Sequence, residues 1–132
     1  MNIQVIDHVV IRVNDLEKMI TFYSEVLGCR LERGPGEMRL AQLRAGHSLI
    51  DLVDVARPLG RKGGQVPTPE APNMDHLCLQ VNPWNPEAIR EHLKEHGVEM
   101  GKIFSRYGAL GIGPSLYISD PEGNTIELKG SN

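Results

Sequence analysis

Short apolar runs and one amphipathic stretch alternate along the first half of the chain. Residues 6–13 are rich in Val and Ile and predict a strand. Apolar residues then recur at helical spacing as far as Gly28, a residue typical of a helix end. Three further strand-like segments follow, at about 29–33, 38–43 and 48–55. The first half therefore predicts the order β-α-β-β-β.

The second half shows the same order of patterns. Residues 75–81 predict a strand, and Asn85 with Pro86 is typical of a helix start. In the first half we expect Asn14 to cap the helix, with Glu17 three residues later. Further strands are expected near 99–104, 114–119 and 125–129. The intervening residues 58–72 contain seven Gly or Pro residues out of fifteen, which predicts a linker.

An internal repeat relates the two halves. Residues 7–14 read DHVVIRVN and residues 75–82 read DHLCLQVN, an offset of 75 − 7 = 68 residues. The triplet at residues 50–52, Ile-Asp-Leu, is echoed by Ile-Glu-Leu at residues 126–128. We therefore predict an α+β fold made of two βαβββ modules in a single domain, 1–132. The modules span about 3–57 and 73–130, and the linker 58–72 joins them.

The repeat places chemically capable residues at matching positions. The first strand of each module begins with a histidine, His8 or His76, and the last strand carries a carboxylate, Asp51 or Glu127. If the modules pair face to face, these four side chains converge. Two imidazoles and two carboxylates suit a divalent ion such as Ni, Zn, Mn, Fe or Co. The alternative is that the histidines are ordinary hydrogen-bonded residues and the carboxylates face solvent.

Composition and charge narrow the class of protein. Of 132 residues, 40% are hydrophobic and 23% are charged, which is typical of a globular chain and not of a disordered one. The net charge is -3 and Lys and Arg form no run, which argues against nucleic-acid or anionic-membrane partners. We expect a cytoplasmic protein, because neither a spanning segment nor a signal-peptide pattern is present. Cys29 and Cys78 are interpreted as reduced thiols, with Cys78 filling core space.

With these motifs in hand, the chain resembles the vicinal oxygen chelate superfamily, which contains glyoxalases, bleomycin-resistance proteins and dioxygenases. The resemblance covers about residues 3–130. The motifs that carry it are DHVVIRVNDLEKMITFYSEVLG, LIDL, MDHLCLQV and SLYISDPEGNTIEL. It implies a cup-shaped mixed sheet around a divalent metal, with ligands at His8, Asp51, His76 and Glu127. It also implies a homodimer that acts on a small molecule, and the linker is long enough for modules to be exchanged between chains.

Within the superfamily, glyoxalase I resembles this chain most in its ligand set. The implied reaction is that of a lactoylglutathione lyase, the isomerisation of a hemithioacetal to a thioester by way of a metal-stabilised enediolate. Glu127 would then be the general base and acid. Arg12 matches the arginine that holds a carboxylate of glutathione, which would be the cosubstrate. Glyoxalase I has a glutamate where this chain has Asp51, so Asp51 either binds through water or is not a ligand.

Other branches of the superfamily remain open. The triad of His8, His76 and Glu127 also resembles that of extradiol dioxygenases and of fosfomycin-resistance thiol transferases and hydrolases. A non-catalytic antibiotic-binding protein, which lacks metal, is the alternative from a different class.

Candidate substrate contacts follow from the same comparison. Ser115 and Tyr117 occupy positions where fosfomycin-resistance proteins contact substrate. Residues 108–114 are glycine-rich and are interpreted as a flap or a plain surface loop, with Arg106 and Tyr107 at its base as substrate contacts. The cations that could meet a phosphonate are Arg12, Lys102, Arg106 and Lys129.

Overall fold

The computed structural model describes residues 1–131. The chain divides into two compact units, one covering Met1–Asn73 and the other beginning at Met74. None of the helices within residues 1–131 is long and apolar enough to cross a membrane.

The first unit has one four-stranded mixed sheet. Its elements are β1 (His8–Val13), α1 (Leu16–Thr21), a π-helical continuation (Phe22–Val26), β2 (Arg30–Arg33), β3 (Leu40–Ala45), β4 (Ser48–Asp54) and α2 (Pro58–Arg61). The strand order is β1-β4-β3-β2, with β1 parallel to β4 and the other neighbours antiparallel. The first and last strands of the module therefore lie side by side.

The second unit repeats this topology. Its elements are β5 (Leu77–Gln80), α3 (Pro86–Glu95), β6 (Phe104–Gly108), β7 (Gly111–Ser119) and β8 (Thr125–Lys129). The strand order is β5-β8-β7-β6, and β5 is parallel to β8. The predicted α+β class and the repeated order of elements are confirmed.

In the first unit the core is formed by one face of the sheet together with the apolar side of the helical segment. Alternation along β1 buries Ile11 and Val13, whereas Val10 on the other face is 53% exposed. The same core contains, from the remaining elements, Leu16, Met19, Phe22, Tyr23, Ala41, Leu43, Ile50 and Leu52. The face that carries His8 and Val10 is thus left for other contacts.

Helix caps agree with the sequence analysis in one module only. Asn85 caps α3 as predicted, and its Oδ1 accepts a hydrogen bond from the Ala88 N–H at 3.0 Å. The prediction for Asn14 is wrong, because Asp15 is the cap of α1 and its carboxylate accepts from the Lys18 N–H at 3.1 Å. The helix begins one residue later than expected, so the acceptor three residues before Lys18 is the aspartate.

One loop prediction is also wrong. The segment interpreted as a flap belongs to a β-hairpin, in which Gly108 pairs with Gly111 and β6 begins at Phe104 instead of ending there. Gly111 has a φ of 86°, a value that glycine adopts without strain. The linker contains a short helix, α2, and a Cβ on its Gly60 would lie 2.1 Å from the Asp54 carbonyl oxygen. This segment therefore packs against the end of β4.

A surface ion-pair cluster joins β2 to β3. Arg30 and Arg44 are cross-strand partners, and the Glu32 carboxylate bridges them, with its Oε1 2.9 Å from Arg30 Nη2 and 3.0 Å from Arg44 Nε. A second bond joins Arg44 Nη2 to Glu32 Oε2 at 3.0 Å. Hydrogen bonds from Arg44 and then Arg30 lower the pKa of Glu32 to about 2.

We predict that Glu32→Gln lowers the melting temperature at neutral pH, because two arginines then face each other without a carboxylate. Since the pKa of Glu32 is depressed in the folded state, its stabilisation is present above the ordinary pKa of 4.5 and is lost as the pH falls toward about 2. Melting curves from pH 7 to pH 2 should show the difference from wild type shrinking in that window. The control, Glu37→Gln at an exposed position, should show no such window.

Candidate functional site

The second unit brings together a histidine and a buried carboxylate. His76 directly precedes β5, and Glu127 lies on the neighbouring strand β8, opposite Cys78 in the parallel register. The His76 Nε2 atom lies 3.2 Å from Glu127 Oε2. Glu127 is only 6% exposed, so its carboxylate needs a partner, and the imidazole supplies one. This pair is the chemical centre of the unit.

The other ring nitrogen of His76 is also engaged. Its Nδ1 forms a hydrogen bond to the carboxylate of Asp75, which is itself 95% exposed. A carboxylate on one ring nitrogen orients the imidazole and makes the opposite nitrogen a better ligand, as is usual for metal-binding histidines. The Asp-His pair of the repeat motif is therefore joined by a side-chain hydrogen bond in the structure.

A cavity of about 290 Å³ opens at this pair, entirely within the second unit. It is lined by His76, Cys78, Gln80, Tyr107, Gly108, Ala109, Leu110, Glu127, Lys129 and Gly130. Two of the predicted ligands and one predicted substrate contact, Tyr107, thus lie around one space. The Tyr107 side chain is 83% exposed and so stands at its rim.

The remaining predicted contacts of the second unit form a cluster around Arg106. Its Cζ lies 4.5 Å from the ring centroid of Tyr117 and 5.1 Å from that of Phe104. Its Nη1 donates to the Ser115 carbonyl at 3.0 Å and to the Ser115 hydroxyl at 2.8 Å. Tyr117 in turn meets His76 edge to face, with ring centroids 5.5 Å apart. Ser115 is fully buried, so its hydroxyl positions Arg106.

Cys78 differs from its prediction. It is an exposed residue that lines the cavity, so the expectation of a core-filling side chain is wrong. The physical reason is that its strand face carries Glu127 and Lys129 instead of an apolar layer. Partial burial, and then the nearby Glu127 carboxylate, raise the pKa of the Cys78 thiol to about 11. The thiol is therefore protonated at neutral pH.

In the first unit His8 and Asp51 occupy the matching positions. His8 Nδ1 lies 2.7 Å from Asp7 Oδ1, the same arrangement as His76 with Asp75. This hydrogen bond raises the pKa of His8; partial desolvation opposes the shift, and the negative charge of Asp51 adds to it.

Only one of the two carboxylate oxygens of Asp51 has a hydrogen-bond partner within residues 1–131. Asp51 is 3% exposed, and its Oδ2 accepts a hydrogen bond from Gln42 Nε2 at 3.1 Å. Its Oδ1 has no hydrogen-bond partner within residues 1–131. Gln42 was missed by the sequence analysis, although its place opposite Asp51 on β3 follows once the strand register is known. A buried, unpartnered carboxylate oxygen is typical of a site that awaits a cation or a donor.

Arg12 has different partners from those expected of a glutathione contact. Its guanidinium donates to four carbonyl oxygens of the segment after β4, at 2.7–3.1 Å, namely those of Gly60, Gly63, Gly64 and Gln65. Four of its five N–H donors are thereby used within the first unit. The role of Arg12 in substrate binding stays a prediction.

The imidazole and carboxylate of each unit are donor types that suit a divalent metal, although no group of three or more His, Cys, Asp or Glu side chains is gathered for one within residues 1–131. The supporting observations are the two imidazoles held through Nδ1 by aspartates and the free oxygen of Asp51. The structure places His8 with Asp51 in one unit and His76 with Glu127 in the other.

Both units have the order βαβββ and carry a histidine at or directly before the start of the first strand and a carboxylate on the parallel last strand. The family model of the Glyoxalase/Bleomycin resistance protein/Dioxygenase superfamily matches residues 5–128. The chain therefore belongs to this superfamily, as the motifs suggested.

Individual relatives cover nearly the whole chain. The glyoxalase domain-containing protein RDO1 of Mycosarcoma maydis is 31% identical over 97% of this chain and 69% of its own length. The glutathione transferase FosA of Serratia marcescens is 29% identical over 96% of this chain and 80% of its own.

The virulence protein STM3117 of Salmonella typhimurium is similar in sequence and in structure. It is 31% identical over 93% of this chain and 81% of its own length. Its crystal structure superposes with a TM-score of 0.83 at 27% identity and covers all of both chains. The fold of this chain is thus one already seen in the superfamily.

We predict that Ser115→Ala destabilises the protein by about 1–3 kcal/mol, because the part-buried Arg106 guanidinium loses a hydroxyl acceptor. Urea denaturation at pH 7 measures the change. The matched control is Ser119→Ala, at an exposed position on the same strand, which should change stability far less. Equal effects of the two substitutions would contradict the positioning role of Ser115.

Proposed function

We propose that the chain is a divalent-metal-dependent, glyoxalase-like enzyme that moves a proton next to a carbonyl of a small oxygenated substrate. The observation that carries the proposal is the His76–Glu127 pair, 3.2 Å apart at the mouth of a cavity. A volume of about 290 Å³ lies at the lower end of small-molecule sites and suits a compact substrate.

In this proposal His76 and Glu127 supply two metal ligands, and His8 and Asp51 complete the set. Asp75 and Asp7 hold the imidazoles through Nδ1, so ligation would be through Nε2, which in His76 now faces Glu127 Oε2. The unpartnered Oδ1 of Asp51 supports its inclusion despite its short side chain. When bound, the ion supplies Lewis acidity that stabilises negative charge on a substrate oxygen. Ni, Zn, Mn, Fe and Co all accept such ligands.

Glu127 is the residue that we propose takes up the proton from substrate carbon and returns it. Its carboxylate is buried, and His76 fixes one of its oxygens, so the other is held in a defined direction. Tyr117, packed edge to face on His76, keeps the ring from rotating away. Tyr107 at the rim would meet the part of the substrate that remains outside.

A second candidate is thiol transfer to a fosfomycin-like substrate. Its support is the similarity to a protein named glutathione transferase FosA, together with two cationic side chains, Arg106 and Lys129, in the second unit. Glutathione would be the cosubstrate in both reactions. We further infer a cytoplasmic homodimer, since members of the superfamily are typically dimers with small-molecule substrates.

Metal content and three assays test the proposal. We predict stoichiometric divalent metal in protein purified without a histidine tag or chelator, and turnover of methylglyoxal with glutathione. His76→Ala and Glu127→Gln should each lower metal content or turnover at least about a hundredfold, because each removes a ligand or the base. The control, His92→Ala on the exposed face of α3, should match wild type.

The outcomes separate the candidates. Activity with fosfomycin and glutathione alone selects the transferase, and ring cleavage of a catechol selects the dioxygenase branch. Ligand binding without metal or turnover would indicate an antibiotic-binding protein. Full activity in both His76→Ala and Glu127→Gln would refute the assignment of the site to this pair.

A further prediction concerns the aspartate that orients the histidine. Asp75→Asn should weaken metal affinity by about 10- to 100-fold while leaving the melting temperature of the metal-free protein unchanged. The stability should be preserved because the Asp75 side chain is 95% exposed. Calorimetric titration with Ni²⁺ or Zn²⁺ measures the affinity. Glu91→Gln on α3, the matched loss of one exposed charge, should bind the metal like wild type.

A further inference from the structure

Lys129 is a buried cation at the far end of the cavity. It is the last residue of β8 and lies two residues after Glu127, so both side chains leave the same face of the strand about 7 Å apart. The Lys129 residue is only 8% exposed, yet it lines the cavity together with Glu127 and His76. The cavity therefore has a carboxylate–imidazole end and an ammonium end.

The Lys129 ammonium group has only weak hydrogen bonding to the described part of the protein. Its Nζ donates to the Gly130 carbonyl at 3.4 Å, which is long for such a bond. Within residues 1–131 no carboxylate forms an ion pair with Lys129. Burial of a cation is unfavourable unless a counter-charge or several hydrogen bonds compensate for it. An anionic group in the cavity would supply that compensation.

Two glycines make room for this side chain. A Cβ on Gly108 would lie 2.8 Å from Lys129 Cε, and one on Gly113 would lie 2.9 Å from Nζ. Gly108 ends β6 and Gly113 lies on β7, so both belong to the hairpin that lies against the lysine side chain. A lysine present only for packing would extend its ammonium into solvent. Lys129 is instead confined where the cavity meets the hairpin.

We propose that Lys129 binds the oxyanion of the substrate, so that this protein selects small oxygenated molecules that carry a carboxylate or phosphonate. The inference rests on the proposed function for the other end of the substrate. A short molecule would reach His76 and Glu127 with its reacting oxygens while its anionic group lies on Lys129. An ammonium is a compact point charge that accepts either oxyanion, so the binding experiment has an arm for each.

The test is anion binding by the full chain, with its metal content measured first and the titrations repeated after chelation. The probes are methylphosphonate, acetate and the neutral acetamide, and calorimetry measures the binding of each. We expect wild type to bind at least one anion more tightly than acetamide. Lys129→Met should weaken that binding by about tenfold or more, the loss expected for one charge-assisted hydrogen bond. Lys94→Met, at an exposed position on α3, should change it less than twofold.

A second variant separates loss of the charge from loss of the fold. Gly108→Ala keeps the charge but pushes the lysine stem aside, and it should weaken anion binding with a far-ultraviolet circular dichroism spectrum like that of wild type. Anion binding in Lys129→Met equal to that of wild type, or equal affinity for anions and acetamide, would overturn the proposal.

Failure of the proposed function would look different. In that case wild type would carry no metal, while the titrations after chelation would still show whether Lys129 holds an anion. Conversely, a metal-loaded Lys129→Met protein that binds anions normally would refute the role of Lys129 and leave the metal site standing.

Discussion

The burial of one carboxylate in the middle of each sheet is the constraint on which the rest of the structure depends. Asp51 and Glu127 lie on β4 and β8, each flanked on both sides by other strands. A carboxylate in that position has to be met by polar groups or by a cation. In the second unit His76, beside the parallel strand, contacts Glu127, and in the first unit Gln42 of the antiparallel neighbour donates to Asp51. The strand order therefore decides which polar side chains can reach the buried carboxylate in each module.

The surroundings of the buried carboxylate differ between the two modules. In the first module, Asp51 Oδ1 has no hydrogen-bond partner within residues 1–131, and Arg12 donates its hydrogen bonds to the loop that follows β4. In the second, the carboxylate contacts its histidine directly and a cavity opens beside it. Both copies of the internal repeat thus have the histidine and the carboxylate at matching positions, whereas the surroundings differ. All residues that line the described cavity belong to the later module.

Much of the fold, and the positions of the two histidines in it, were predictable from local patterns. A two-residue period and a repeated Asp-His motif place His8 and His76 at strand starts without reference to distant residues. The beginning of β6 was not predictable, because residues 104–108 are mostly exposed and lack an apolar alternation. Cys78 and Lys129 needed the pairing register, since only their cross-strand neighbours show that this face borders a cavity. Arg12 needed the course of a loop some fifty residues away, which no short-range pattern encodes.

The β6–β7 hairpin, which turns at Ala109 and Leu110, is the part of the cavity wall that can change most easily. Glu127 lies on β8, which has a hydrogen-bonded strand on each side, whereas part of the cavity wall is the two-residue turn between β6 and β7. Changes in side-chain size at the turn would reshape the entrance without disturbing the reacting groups. New substrates could therefore be acquired one turn residue at a time, while the reaction itself is inherited unchanged.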